Sequence, residues 1–219
     1  VKDAKPISSI SYKELRELSY MGASVLHEDA VYPVRAVGIP INIRNTNEPK
    51  DPGTTITAEA TPKEDTIIAG IAGHKDFTVI GIYKSMMNDD SGFVRRLLGI
   101  LDSYDVPLEH MPSGIDTISI VVSDKYLNGK LDDIVEEIQR TLQPETIDIF
   151  KKMALIATVG KGMAKRLGVS AKLFTALFEA GVNIRMIDQG SSEMNIIIGV
   201  ENKDFETAIE AIYRVFVEN

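Results

Sequence analysis

The sequence predicts an α+β chain, with an N-terminal α/β segment followed by two copies of one strand–helix–strand–strand–helix unit. Three observations predict it. Gly92, Leu97, Leu101, Val106, Gly114 and Ile120 recur 76 positions later as Gly168, Leu173, Leu177, Val182, Gly190 and Ile196. Two apolar stripes at helical spacing recur with them. Phe93, Leu97, Leu101 and Tyr104 become Val169, Leu173, Leu177 and Ala180; Leu131, Ile134, Val135, Ile138 and Leu142 become Phe205, Ala208, Ile209, Ile212 and Phe216, now 74 apart because the loop is two residues shorter. Between the stripes lie apolar runs with strand character, such as "FTVIGIYK", "DTISIVV" and "EMNIIIGV". A duplicated module has equivalent faces, which favours ligand sensing or partner pairing over a single catalytic pocket.

Along the chain, Ser11-Tyr12-Lys13-Glu14 fits a capping box. A helix carrying Leu15 and Leu18 follows and stops near Gly22. A second helical stretch, about 23–37, holds Pro33, which predicts a kink or break. "GIPINIRNT" reads as a strand, residues 45–55 as a loop, "TITAEA" as a closing strand, and 61–65 as a linker. From Thr66 onward "TIIAGIAG" and "FTVIGIYK" are strands, 91–104 a helix, "VPLEHMP" and "DTISIVV" strands, and 131–142 a helix. The second copy runs through "MALIATVG", a helix at 169–180, "VNIRMID", "EMNIIIGV" and a helix at 205–216. That order is the split βαβ, ferredoxin-like pattern, an antiparallel sheet with two helices on one face.

The chain has 219 residues and a net charge of −8. An acidic chain without a dense Lys/Arg block argues against nucleic-acid partners. There is no Cys, which excludes disulfides, thiolate catalysis and Cys-ligated zinc, and makes a reducing, cytoplasmic setting the default. No apolar run approaches the roughly 18 residues of a membrane span, so no membrane partner is expected. The N-terminus shows no signal-peptide pattern, and the missing initiator Met makes a piece of a longer chain the expectation.

Few constellations carry chemistry. Val159-Gly160-Lys161-Gly162 lacks the spacing and the Ser/Thr of a phosphate loop and reads as a strand-to-helix turn, although Thr158, Gly160 and Gly162 can expose amides to a carboxylate. His27, His74 and His110 share no metal-ligand spacing, so no metal is expected. Asp132-Asp133 opens a helix, where negative charge complements the dipole. No nucleophile–base pair stands out, so no catalytic residue is assigned.

The turn "MMNDDSGF" taken with "VPLEHMPSG" is the most suggestive stretch. The amides of Ser91, Gly92, Phe93 and Val94 form a helix N-terminus suited to a carboxylate. On the adjacent strand Pro107 and Glu109 share a face, and Glu109 can take an ammonium group. A free amino acid carries both charges. The alternative is that Glu109 is an exposed residue on an uncovered sheet face, and that Asp89-Asp90 is a solvated loop. In the second copy Arg185 stands at the Glu109 position and Arg166 at the Asp90 position. The scaffold is copied and the charges are inverted, so the two units do different jobs or face each other across an interface.

The segments "GASVLH", "PINIRNT" and "HMPSGIDTISIVV", with "GFVRRLLGILDSYDVPLEHMP" and "ALFEAGVNIRMIDQGSSEMNIIIGV", resemble the aspartokinases over essentially the whole chain. The resemblance implies three parts: residues 1–62 as the last part of an amino-acid kinase domain, 66–145 as a first ACT domain, and 146–219 as a second, with strands open to exchange between the two. ACT domains are βαββαβ modules that bind amino acids and pair by joining sheets. The family's Lys-Phe-Gly-Gly nucleotide motif and Gly-Arg-Gly-Gly-Ser-Asp substrate loop are not in these residues, so ATP and Mg belong to the full-length enzyme and this chain alone is expected to be inactive. Lysine-inhibited relatives bind lysine at positions matching Met87, Asp90, Gly92, Phe93, Val94, Pro107, Leu108, Glu109, Ser113 and Gly114; threonine is the other effector class. Glu109 stands where relatives often have Asp, and Asp90 replaces a hydroxyl residue. The expected function is therefore feedback regulation of aspartate phosphorylation by lysine or threonine in a homodimer paired through ACT domains. The alternative is a pairing scaffold or regulatory subunit with no effector.

Overall fold

The computed structural model describes residues 1–2, 4–23, 26, 28–60 and 66–218, and the proposed linker at 61–65 and His27 lie outside them. The chain divides into two compact units: Lys75–Ala154 forms one, and Val1–His74 with Leu155–Asn219 forms the other.

The larger unit begins with β1 (Ser9–Ser11), α1 (Tyr12–Tyr20), α2 (Glu28–Ala36), β2 (Ile41–Ile43) and β3 (Thr54–Thr57). The expected capping box is present: Ser11 Oγ accepts the Glu14 N–H while the Glu14 carboxylate accepts the Ser11 N–H. Leu15 and Leu18 are buried and the helix ends at Tyr20, ahead of Gly22 at φ 112°. Pro33 lies inside α2 without dividing it, so of the expected kink or break the break is absent. β1 pairs parallel to β3, and β2 antiparallel to β3.

The repeats start at β4 (Gly70–Tyr83), one unbroken strand of 14 residues where two were expected. Gly73 and Gly81 do not interrupt it, and the run leaves extended geometry at Asp76, φ 67°. α3 (Phe93–Ser103), β5 (Thr117–Ser123), the short α4 (Asp124–Leu127), α5 (Leu131–Leu142) and β6 (Thr146–Val159) complete the first copy. α6 (Val169–Glu179), β7 (Met186–Asp188), β8 (Asn195–Glu201) and α7 (Phe205–Tyr213) follow, and α7 runs on into a π-helical turn, Arg214–Glu218. Like β4, β6 contributes residues to both units.

In the smaller unit the strands lie in the order β5–β4–β6. β4 and β5 run antiparallel, with Ile80 opposite Ile120. Glu145 N–H donates to Tyr83 O at 2.9 Å, which sets the β4–β6 register there. Ile80, Ile82, Ile118, Ile120 and Val122 meet Phe93, Leu97 and Leu101 of α3 and Ile134, Ile138 and Leu142 of α5 in one core. These are the apolar stripes of the repeat, on the helix faces the spacing assigns. The expected strand "VPLEHMP" is not a regular strand. It pairs with β5 only through isolated bridges, His110 to Val121 and Ser113 to Ile118. Leu108 and Met111 turn into the core instead.

In the larger unit the order is β4–β6–β8–β7, with Ala69 N–H donating to Val159 O at 2.7 Å and β7 antiparallel to β8. Leu173 and Leu177 on α6, and Ala208 and Ile212 on α7, are fully buried. No helix among the described residues is long and apolar enough to cross a membrane.

Leu97 has no exposure and sits among aliphatic neighbours of β4, β5 and α5. Leu97→Ala is expected to cost about 2–5 kcal/mol in urea unfolding of the smaller unit. A loss under 1 kcal/mol would show that this core is not packed as described.

Candidate functional site

The turn from β4 into α3 is closed by its own backbone. Met87 N–H donates to Lys84 O at 3.2 Å, Asp90 N–H to Met87 O at 3.1 Å, and Phe93 N–H to Asp90 O at 2.9 Å. Met87 is buried, whereas Met86, at φ 59°, points its side chain to solvent. Phe93 is 1% exposed, so its ring anchors the first turn of α3 in the core.

Asp90 sits at the N-terminal end of α3 and is not a solvated loop residue. Its carboxylate pairs with Arg96 Nη2 at 2.5 Å, lies 3.8 Å from Lys84 Nζ, and accepts the Gly92 N–H. The Arg96 hydrogen bond and charge, the Gly92 amide and the Lys84 charge together hold the Asp90 carboxyl below the ordinary aspartate range, against an opposing desolvation effect. A Cβ at Gly92 would stand 2.7 Å from Arg96 Nη1, so a side chain there would displace the guanidinium that folds back over it. Lys84 also donates to Leu142 O at 2.7 Å, at the C-terminus of α5 where a cation is favoured, and lies 5.5 Å from the centroid of the Phe93 ring.

The expectation that the α3 amides stand open for a ligand carboxylate is therefore corrected. The Gly92 and Phe93 N–H groups are taken by the side chain and the carbonyl of Asp90. The chain's own carboxylate occupies the place expected for a ligand's.

The other candidate residues fall into two groups. Met87, Phe93 and Leu108 belong to the apolar core. Val94, Pro107, Ser113 and Gly114 are exposed around it. Glu109 is half-buried, and its N–H donates to Val121 O at 3.0 Å, the first ladder bond along β5. Residues 106–109 have no strand pairing ahead of that bond, so the strand alternation expected to align Pro107 with Glu109 does not apply to them. A groove of about 660 Å³ runs beside α5 and the start of β6, lined by Asp132, Glu136, Gln139 and Glu145 among others, none of them a candidate residue.

The charge inversion in the second copy also has a local cause. Arg185 pairs within its own unit, 3.3 Å from Glu201, which in turn bonds Lys203 at 2.8 Å. Lys84 and Arg96 are the residues of this turn that the sequence reading missed. A signal was present: an Arg in the first turn of a helix opposes the dipole unless an anion sits beside it. Among the described residues no three His, Asp or Glu side chains gather as a metal site.

Among known proteins, both family matches fall in the larger unit. Residues 156–216 match the ACT domain, and residues 1–45 match the amino acid kinase family. Aspartokinase 3 of Bacillus subtilis (strain 168) is 37% identical over 217 residues, 99% of this chain and 48% of that protein. The crystal structure of the Clostridium acetobutylicum aspartate kinase is 58% identical with a TM-score of 0.93, over 99% of this chain and 50% of that one. Over 99% of its length the chain is similar to aspartokinases. It spans about half the length of these aspartokinases. E. coli aspartokinase III, solved in complex with lysine and aspartate, has a TM-score of 0.76 at 22% identity over 97% of this chain and 47% of that one, a likeness of fold. The ACT match falls on the second repeat, and the candidate residues lie in the first.

The Asp90 ion pair gives a pH prediction. Its folded-state pKa is depressed, so its stabilisation is complete above the unfolded aspartate value of about 3.9 and is lost as pH falls through the lower, folded value. A carbon-13 NMR titration should find Asp90 titrating below ordinary aspartates, and Arg96→Ala should bring it back toward them. An Asp90 midpoint that is ordinary in the native chain contradicts the assignment.

Proposed function

We propose that this chain is the regulatory portion of an aspartokinase. In this reading its first repeat binds an end-product amino acid, lysine first and threonine as the alternative, and so inhibits ATP-dependent phosphorylation of L-aspartate. ATP and Mg²⁺ are properties of the full-length enzyme. The observation that carries the reading is the Asp90 carboxylate on the α3 N-terminus, flanked by Arg96 and Lys84. A turn that holds one carboxylate by amide, guanidinium and ammonium groups has the chemistry to hold another. Glu109 and the exposed rim at Pro107, Ser113 and Gly114 supply the opposite end, where a lysine ammonium is received. Asp90 then moves off the Gly92 amide and stays paired with Arg96. Coupling between such a site and a kinase active site is typically about 1–3 kcal/mol.

A second reading is supported by the same observation. Because Asp90 already satisfies Gly92 and Phe93, the unit is complete without a ligand. The chain is then a scaffold that pairs through its ACT-type repeats as a cytoplasmic homodimer and binds no effector.

Calorimetry with lysine and threonine separates the two. In the effector reading lysine binds with measurable heat, Glu109→Ala weakens it more than tenfold, and Asp90→Ser strengthens it by removing the competing carboxylate. An affinity unchanged by Glu109→Ala removes that residue from the site. Weaker binding in Asp90→Ser would make Asp90 an ammonium acceptor instead. No heat with either amino acid, together with a dimer by sedimentation, leaves the scaffold reading.

A further inference from the structure

After each long strand a backbone N–H meets a carboxylate. Beyond β4, Ser85 N–H donates to Glu145 Oε1 at 3.1 Å. Strand pairing itself delivers this carboxylate, since Glu145 N–H is the group bonded to Tyr83 O. The Ser85 hydroxyl and amide together hold the Glu145 carboxyl below the usual range. Beyond β6 the repeat puts Lys161 at the Ser85 position, and its N–H donates to Glu14 Oε1 at 2.8 Å.

The second carboxylate comes from elsewhere in the chain. The ladder bond from Ala69 N–H to Val159 O is the counterpart of that from Glu145 to Tyr83, so Ala69 occupies the Glu145 place and offers no acid. Glu14 belongs to α1, 147 positions from Lys161. It is 3% exposed, and its other oxygen accepts the Ser11 N–H at 2.9 Å and the Ser11 hydroxyl at 2.6 Å. A carboxylate buried this deeply persists only when its lone pairs are used. One turn further along α1, Glu17 accepts from Asn195 Nδ2 of β8 at 2.7 Å. The residues on either side of the Lys161 amide are packed against the segment ahead of β4: a Cβ on Gly160 would lie 2.6 Å from Ile68 Cα, and one on Gly162 would collide with the Thr66 carbonyl.

We propose that the turn Gly160–Met163 is a carboxylate-docking surface whose occupant is Glu14, and that this contact registers the N-terminal α/β segment on the second repeat. Glu14 does for the second copy what Glu145 does for the first. It follows that α1 and the turn ahead of α6 open together, as one cooperative piece. The proposal is independent of any effector.

Amide hydrogen exchange by NMR on the full chain tests it. In Glu14→Ala the Lys161 amide is expected to exchange at least tenfold faster, the α1 amides from Leu15 to Tyr20 to accelerate with it, and the Ser85 amide to keep its rate. Glu14→Gln, which retains an acceptor oxygen, restores part of the Lys161 protection. Because Glu14→Ala also removes the capping box, Lys161→Pro provides the separate arm. It deletes the N–H donor together with the lysine side chain, at the first position of a 3₁₀ turn where proline fits, and leaves Glu14 and Ser11 intact; Lys161→Ala, which keeps the N–H, is the control for the side chain. Faster α1 exchange in Lys161→Pro supports the docking. An unchanged Lys161 rate in a folded Glu14→Ala, or α1 rates indifferent to Lys161→Pro, overturns it.

Discussion

The antiparallel pairing of β4 with β6 is the constraint from which the rest follows. Its register is fixed at both ends, by Glu145 against Tyr83 and by Ala69 against Val159. Each strand is 14 residues long and gives residues to both units, so neither repeat can form its sheet without both strands. The same register decides what stands beside each strand end. In the first copy it brings in a glutamate. In the second it brings in an alanine, and the N-terminal helix supplies the missing acid through Glu14. A single pairing rule thus accounts for the self-contained first turn and the externally capped second one.

The two copies then diverge in charge on a common backbone. In the first, Lys84 and Arg96 form a compact cationic frame around the Asp90 carboxylate at the α3 N-terminus. The repeat replaces these with Gly160, Arg166 and Lys172. The second copy therefore has no acidic side chain of its own at the corresponding helix start, and its turn is given over to α1. A carboxylate-binding role suits the first copy and a docking role the second. The division agrees with the physical asymmetry of a helix N-terminus, which favours an anion whether it comes from solvent, from the same turn or from another segment.

The helices and their buried faces were legible in the sequence because burial writes itself at a period of 3.6: the stripes through Leu97 and Leu101, and through Ile134 and Ile138, lie in the core as read. The capping box at Ser11 was legible for the same local reason. Strand continuity was not. β4 holds Gly70, Gly73 and Gly81 inside one strand, which leaves extended geometry at Asp76 and not at any of these glycines. The segment 106–113 alternates like a strand, yet Leu108 and Met111 fill the core and its pairing is reduced to bridges. The position of the candidate turn was legible from the helix start at Gly92. Its occupation by Asp90 was not, because Arg96 reaches back from the first turn of α3 and Lys84 comes from the strand end, and neither contact has a periodic signature. Glu14 is the hardest case: nothing local in α1 points to an amide 147 positions away.

The claim that most needs a direct reading is that the α3 N-terminus exchanges its internal carboxylate for that of a free amino acid. Lysine titrated into chain labelled with nitrogen-15 at glycine and phenylalanine reports on Gly92 and Phe93 in one experiment, with Gly168 as the internal control. Saturable shifts at Gly92 and Phe93, with Gly168 unmoved, are the expected result. Gly92 and Phe93 resonances that stay fixed while lysine binds, or that respond no more than Gly168 does, would contradict it.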